Sequence, residues 1–342
     1  MMERITESPA PTAGKLSDTM KAIRYYRYGS PDVLNIQDVD LPVVGDEDIL
    51  IRVKAASVNP LDFHFMRGTP YAVRVSAGLS RPKANGLGTD MAGCVEAVGE
   101  KVTKFQSGDE VFGARGGTFA EYVSIHQDRA VLRKPANLTF EQAASVPIAA
   151  FTALQALRDK GRIQPGHKVL VNGAAGGVGT FAVQIARAYG AEVTGVCSTR
   201  NVEMVHSIGA HHVVDYTRDD IARIGLRYDL IVDMAGNHTM FEIRRLLTPK
   251  GVLVAVGGPV KGQWIAPFTG PIKLLALSLV VSQTLAPVLA KQSIDDLIVL
   301  REFIEAGKVT PVIDRTYPLS EVPDAIHYLE QGHARGKVVI TV

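Results

Sequence analysis

From Lys168 onward the chain alternates between two patterns. The apolar runs KVLVNGA, EVTGVC, VVDY, YDLIVDMAG and GVLVAVGG are separated by the amphipathic stretches VGTFAVQIARAYG, NVEMVHSIG and one near MFEIRRLL. A strand apolar along its whole length must be covered on both faces, and a helix between each pair of strands provides the cover. This region is therefore predicted to be a doubly wound parallel sheet. Gly190 and Gly209 stand where two of these helices need a residue that can end them.

The rest of the chain reads differently. Between Met20 and Leu132 the runs KAIRYYR, ILIRVKAASV, CVEAVG, EVFGAR and AEYVSI are short and punctuated by Gly, Pro and Asp, which predicts a small β-rich, barrel-like unit. LTFEQAASVPIAAFTALQAL follows as two short helices, the second opened by Pro147. The tail, TPVIDRTYPL, EVPDAIHYLE and KVVITV, is mixed and is expected to return to the β-rich unit. At 342 residues the chain exceeds what one core usually serves, so two domains are expected.

The most informative local pattern is VNGAAGGVGTFAVQIA. A buried strand enters Gly173-Ala174-Ala175-Gly176-Gly177-Val178-Gly179 and a helix follows at once. In the dinucleotide fingerprint the middle glycine lets backbone approach a pyrophosphate and the last lets helix pack on strand. Gly176 and Gly179 fill those places, while Ala174 stands where the first glycine would be. No GK[ST] follows, so a phosphate-loop NTPase is poorly supported. The helix start, from Ala175 through Gly179, offers N–H groups and a positive dipole end to an anion.

Arg200 comes 21 residues after Gly179, in VTGVCSTRN. At about that spacing NAD enzymes keep an acid for the ribose diol, and an acid would repel a 2′-phosphate. Ser198, Thr199 and Arg200 instead offer two hydroxyls and a guanidinium, which suits phosphate through paired hydrogen bonds. NADPH is the expected cofactor; the alternative is that Arg200 is simply a solvated residue at a helix start.

The bulk numbers narrow the function. With 37 basic against 35 acidic residues and a formal charge of +2, no footprint for a nucleic-acid backbone exists. The two cysteines, Cys94 and Cys197, lie in apolar runs; they read as core residues, exclude a multi-disulfide framework and are compatible with a cytoplasmic location. Residues 1–19 have no apolar targeting core and read as a disordered extension. Residues 272–290 are apolar but interrupted by Lys273, Ser278, Ser282, Gln283 and Pro287. A packed helix, at a subunit interface or over a substrate pocket, is expected there, and membrane contact is not.

These residues resemble the medium-chain dehydrogenase/reductase superfamily, in its zinc-free quinone oxidoreductase branch, which includes zeta-crystallin-like and reticulon-interacting-protein-like reductases. The carrying motifs are ASVNPLDFHFMRG, GTDMAGCVEAVG, GDEVFG, GTFAEY, AAGGVG and GHARGKVVI, in the family's order from residue 56 to residue 340. The resemblance implies an α/β protein: a chaperonin-10-like β-rich catalytic domain from residues 20–147 and 315–342, with a Rossmann dinucleotide-binding domain inserted at 148–314. It also implies a homodimer.

Zinc relatives place ligands at positions that here are Asn59, Thr89 and apolar residues around Ala149, so no metal is expected. Without a Lewis acid the acceptor should already be electrophilic: a quinone or an α,β-unsaturated carbonyl. Asn59 is the first candidate donor lining the cleft, or else it holds the turn before Pro60. By resemblance Asp62 lies beside the nicotinamide ribose, Tyr71 near a proton-donating tyrosine of enoyl reductases, and Thr152 near the nicotinamide. Tyr216 is implied at the adenine end, and Arg335 with Lys337 near the phosphates. Reduction of trans-2-enoyl thioesters, and NADPH binding without turnover as a sensor or scaffold, are the competing readings.

Overall fold

The computed structural model describes residues 18–221, 225–256 and 282–342. Residues 1–17, most of the expected extension, lie outside them. Its last residue, Thr19, already pairs with Asp40 in a two-stranded sheet of β1 (Thr19–Arg24) and β2 (Asn35–Asp40).

The β-rich unit is organised on β3 (Asp48–Val58), which pairs antiparallel with β4 (Asp90–Val98) and with β6 (Tyr122–His126). Beyond β4 lie β5 (Glu110–Ala114) and β7 (Val131–Arg133). The other side of β3 is taken by the end of the chain: β15 (Lys337–Thr341) pairs antiparallel with it, and β14 (Ile313–Pro318) pairs parallel with β15. The C-terminal strands thus share one seven-stranded sheet with strands from residues 48–133.

After β3 the chain turns directly into α1 (Pro60–Arg67). Asn59 is extended, Pro60 presets the first helical φ, and the Asp62 carboxylate accepts the Asn59 N–H at 2.7 Å. Gly68, left-handed, ends the helix. A short α2 (Val73–Ala77) follows.

The second sheet contains β8 (Lys168–Asn172), β9 (Glu192–Cys197), β10 (His212–Asp215), β11 (Tyr228–Asp233), β12 (Leu247–Ala255) and β13 (Thr284–Pro287). All pair in parallel, in the order β10-β9-β8-β11-β12-β13. The order reverses between β8 and β11, which opens a crevice at the strands' carboxyl ends. Thr284–Pro287 corrects part of the reading of 272–290: these residues form an edge strand, because their backbone completes the ladder of β12. Residues 272–281 lie outside the described residues. Among the described residues no helix is long and apolar enough to cross a membrane.

The two sheets are joined by packing. α3 (Phe140–Ala144) and α4 (Pro147–Gln155) lie between them, and one buried cluster runs from Ala55, Ala92 and Phe112 through Phe151 and Leu154 to Val169 and Phe181. Phe181 belongs to α5 (Gly177–Ala188), the helix after the glycine turn. Cys197 is buried and Cys94 half-buried, and neither is in a disulfide. Leu154 is fully buried at this junction. Leu154→Ala should cost about 2–5 kcal/mol in urea unfolding, through lost burial and the cavity left behind.

Candidate active site

A cleft of about 640 Å³ lies over the carboxyl ends of β8, β9 and β11 and is closed on one side by Gly332, His333 and Ala334 of the tail. Its floor is the glycine turn. Gly173 takes the left-handed conformation, with φ +90°, so the role the sequence pattern left to Ala174 is filled one residue earlier. A Cβ on Gly179 would run into the Gly173 carbonyl, which is why the helix can pass so close to the strand end. Gly176 differs: its Cβ would meet only ordinary contact, so the space it leaves is open toward the cleft. It caps α5 with no side-chain hydrogen bond, which leaves first-turn N–H groups at the positive end of this helix. The Ala175 carbonyl accepts from Gly336 N–H of the tail at 2.8 Å.

Across the cleft lie Ser198, Thr199, Arg200 and Tyr216. Arg200 is exposed, and its Nη2 donates to the His333 carbonyl at 2.6 Å. Among the described residues it forms no ion pair, so its charge faces the cleft uncompensated. Ser198 Oγ accepts from Asn201 Nδ2 at 3.2 Å. Thr199 is less available than its position suggests. Its hydroxyl donates to Asp215 at 2.6 Å, and with the Thr217 N–H and hydroxyl it holds that carboxyl below its ordinary range. Sequence reasoning missed Asn172 and Asn237, which also line the cleft. Asn172 Nδ2 donates to Asp233 at 2.7 Å and to Asn237 at 2.9 Å. For Asn172 and its partner Asp233 the signal was present as polar residues ending two otherwise apolar strands, VLVN and LIVD; Asn237 lies past the second strand and carried no such signal.

The other candidate residues meet behind the glycine turn. Strand register sets this up: Ser57 faces Asp90 across β3 and β4, and Val58 faces Val338 across β3 and β15, which brings Lys337 to Asn59. Asp90 is fully buried. Its Oδ2 accepts from the Ser57 hydroxyl at 2.7 Å and from Asn59 Nδ2 at 2.8 Å, with Lys337 Nζ 3.5 Å away. Its Oδ1 accepts the Ile148 N–H, at the start of α4, at 2.9 Å. Asp90 was passed over in the sequence, although an acid in the run GTDMAGCV is a signal in itself.

Two expectations are corrected here. The Asn59 amide is spent inside the protein: Nδ2 bonds Asp90 and the Ser57 carbonyl, and Oδ1 accepts from Lys337 at 2.6 Å. It presents no free donor to an acceptor in the cleft, because a buried cation and a buried carboxylate both claim it. Lys337 does not turn its ammonium toward the glycine turn. Only its stem lies there, against Gly177, while its buried head joins Asn59 and Asp90. Burial pushes its pKa below the ordinary lysine range, opposed by the two nearby carboxyls.

Burial also pushes the Asp62 carboxyl up to about 7, against the backbone N–H groups of Asn59 and Gly88 that favour its charged form. Thr152 donates its hydroxyl to the Ile148 carbonyl at 2.7 Å, one turn back on α4. Tyr71 lies away from the dinucleotide cleft, its ring 4.7 Å from the Arg74 guanidinium, which also covers Tyr28 at 4.4 Å. Arg335 is exposed just past the cleft's tail lip, where its backbone N–H donates to Asp314.

Residues 45–136 match the family described as alcohol dehydrogenase GroES-like domain, and residues 208–340 match zinc-binding dehydrogenase. The mouse (Mus musculus) NAD(P)H oxidoreductase RTN4IP1, mitochondrial, is 35% identical over 97% of this chain and 91% of its own. The chloroplastic NADPH-dependent alkenal/one oxidoreductase of Arabidopsis thaliana is 34% identical over 94% of this chain and 79% of its own. The solved quinone oxidoreductase of Coxiella burnetii superposes with a TM-score of 0.82 at 30% identity, covering 95% of this chain and 99% of that one. The chain belongs to the medium-chain dehydrogenase/reductase superfamily, in its quinone oxidoreductase branch.

It is an oxidoreductase with a GroES-like domain and a Rossmann dinucleotide domain. The zinc in one family's description would call for thiolate, imidazole or carboxylate ligands. Asn59 is bonded to an ammonium, and Thr89 and Ala149 are buried without the donors zinc prefers. Among the described residues no group of three or more His, Cys, Asp or Glu is placed to hold a metal ion. The donor set does not fit zinc.

Asp62 makes a pH prediction. Its folded pKa of about 7 lies above the ordinary carboxyl value, so the folded state holds the proton more tightly and the associated stability is lost as pH rises from about 4 through 7. Relative to wild type, Asp62→Asn should therefore be least stable at about pH 4 and below and should gain ground steadily up to about pH 8 in denaturant titrations. A gap independent of pH would show that this carboxyl is not raised.

Proposed function

We propose that this protein is an NADPH-dependent reductase that transfers hydride, without zinc, to a quinone or an α,β-unsaturated carbonyl. The observation that carries the reading is Arg200, an uncompensated guanidinium facing a cleft whose opposite wall is an uncapped helix start. Both ends of that cleft are built for anions. The start of α5, at Gly176, suits a pyrophosphate, and Arg200 with Ser198 suits a 2′-phosphate. Tyr216, exposed at the cleft's rim, is available to pack on an adenine.

NADPH supplies the hydride, and the chain's own residues orient and shield it. Hydride addition at a quinone ring or an enone β-carbon leaves charge on the acceptor's oxygen, which then takes a proton. An acceptor that delocalises this charge needs no Lewis acid, in accord with Asn59, Thr89 and Ala149 at the zinc-ligand places. The names of the similar proteins, a quinone oxidoreductase and an alkenal/one oxidoreductase, point to the same acceptor class.

Arg200→Asp should weaken NADPH binding by about 2 kcal/mol or more, roughly 30-fold, and leave NADH binding nearly unchanged. Equal losses would remove the 2′-phosphate role. Turnover should appear with quinones or enones in chelator-treated protein, and zinc-restored activity would overturn the metal-free reading. Preference for trans-2-enoyl thioesters would shift the substrate, and tight NADPH binding with no turnover on any acceptor would favour a sensor.

The proposal extends to a cytoplasmic homodimer joined through edges of the dinucleotide sheets, where β13 stands at the margin of the six-stranded order. Sedimentation velocity should show two chains per particle; a single chain would refute the pairing, and fractionation to an organelle the location.

A further inference from the structure

We propose that Lys337 is a positioning residue: it fixes the glycine turn of the dinucleotide sheet to the Asn59 corner of the seven-stranded sheet, so that cofactor and acceptor meet in register. The proposal rests on the reductase reading above. Three separate pieces of chain meet this one side chain: the glycine turn at Gly177, the Val58–Asn59 corner and Asp90. Its neighbour Gly336 donates its N–H to Ala175 at 2.8 Å and bridges Gly176, so the start of β15 is attached to the turn itself. The Lys337 stem then runs along Gly177, where its Cδ lies 3.1 Å from the place a Cβ would occupy. Its Nζ donates to Asn59 Oδ1 at 2.6 Å and to the Val58 carbonyl at 3.4 Å, at the end of β3.

The ammonium also stands 3.5 Å from Asp90, whose second oxygen holds the Ile148 N–H at the start of α4. Thr152 follows on that helix and is hydrogen-bonded back to Ile148. The pair therefore connects the glycine turn, the β3–α1 corner and α4. Stability alone is a poor account of it. A buried ion pair contributes little more than apolar side chains of the same shape, and taking two charges out of water is costly. What the pair adds is direction: an ammonium with fixed partners sets distances that an apolar contact leaves loose. A displacement of about 1 Å between reacting groups can cost ~100-fold in rate.

The test separates this role from folding. Lys337→Met keeps the stem but strands the Asp90 charge, so its melting temperature should fall. The double variant Lys337→Met/Asp90→Asn removes both charges and should melt near wild type. In that stable double variant the proposal expects a fall of ~100-fold in kcat with little change in acceptor KM. It also expects about 10-fold weaker NADPH binding by fluorescence titration and faster hydrogen exchange at residues 173–179 and 147–152 in the cofactor-free protein.

Wild-type kcat, NADPH affinity and exchange in the double variant would overturn the proposal. The exchange measurement needs no turnover. If the wild-type protein reduces no acceptor, the reductase reading fails, while the exchange rates still decide whether Lys337 holds the turn.

Discussion

A carboxylate removed from water must be met by donors on every side, and Asp90 is met by Ser57, Asn59, the Ile148 N–H and, at longer range, Lys337. These groups come from three segments: the end of β3 with the corner before α1, the start of α4 and the final strand. Satisfying one buried charge thereby fixes the place where the two sheets meet. The apolar cluster that runs through α3 and α4 supplies the bulk of the cohesion between the sheets, but hydrophobic contact is non-directional and sets no register. The polar junction does.

The two ends of the site use different physics. At the dinucleotide end the protein presents the glycine turn, a positive helix end and one guanidinium at an open cleft. Behind the turn the charges face one another and are closed to solvent, with Lys337 and Asp62 both driven toward their neutral forms by burial. An exposed cation beside unused donors is arranged for a ligand that arrives; a buried cation among committed partners is arranged to hold the protein still. That contrast separates Arg200 from Lys337, although the sequence presents both simply as basic residues near motifs.

The sheet alternation, the glycine turn and the arginine after the second strand were legible because each depends on local chemistry: apolar periodicity, steric room for backbone, and charge at a strand tip. Even the departure at Ala174 dissolves locally, since Gly173 carries the left-handed turn. Other features were not legible for equally physical reasons. Thr284–Pro287 is a strand because β12 offers a free edge to pair with, which no window of residues records. Asn59 looked like a free donor because its partners lie 31 and 278 positions away in the chain.

The sequence by itself determined which backbone conformations are available and which charges the chain possesses. It specified the class of ligand too, because an anion cradle is a property of a few consecutive residues. Only the tertiary structure decided which of those charges are spent. Whether an amide or an ammonium faces a substrate or a neighbour depends on strand register, and the register of β15 on β3 pairs residues 338–341 with residues 55–58, far apart in the chain. That pairing turned Lys337 from a phosphate ligand into the partner of Asn59 and Asp90.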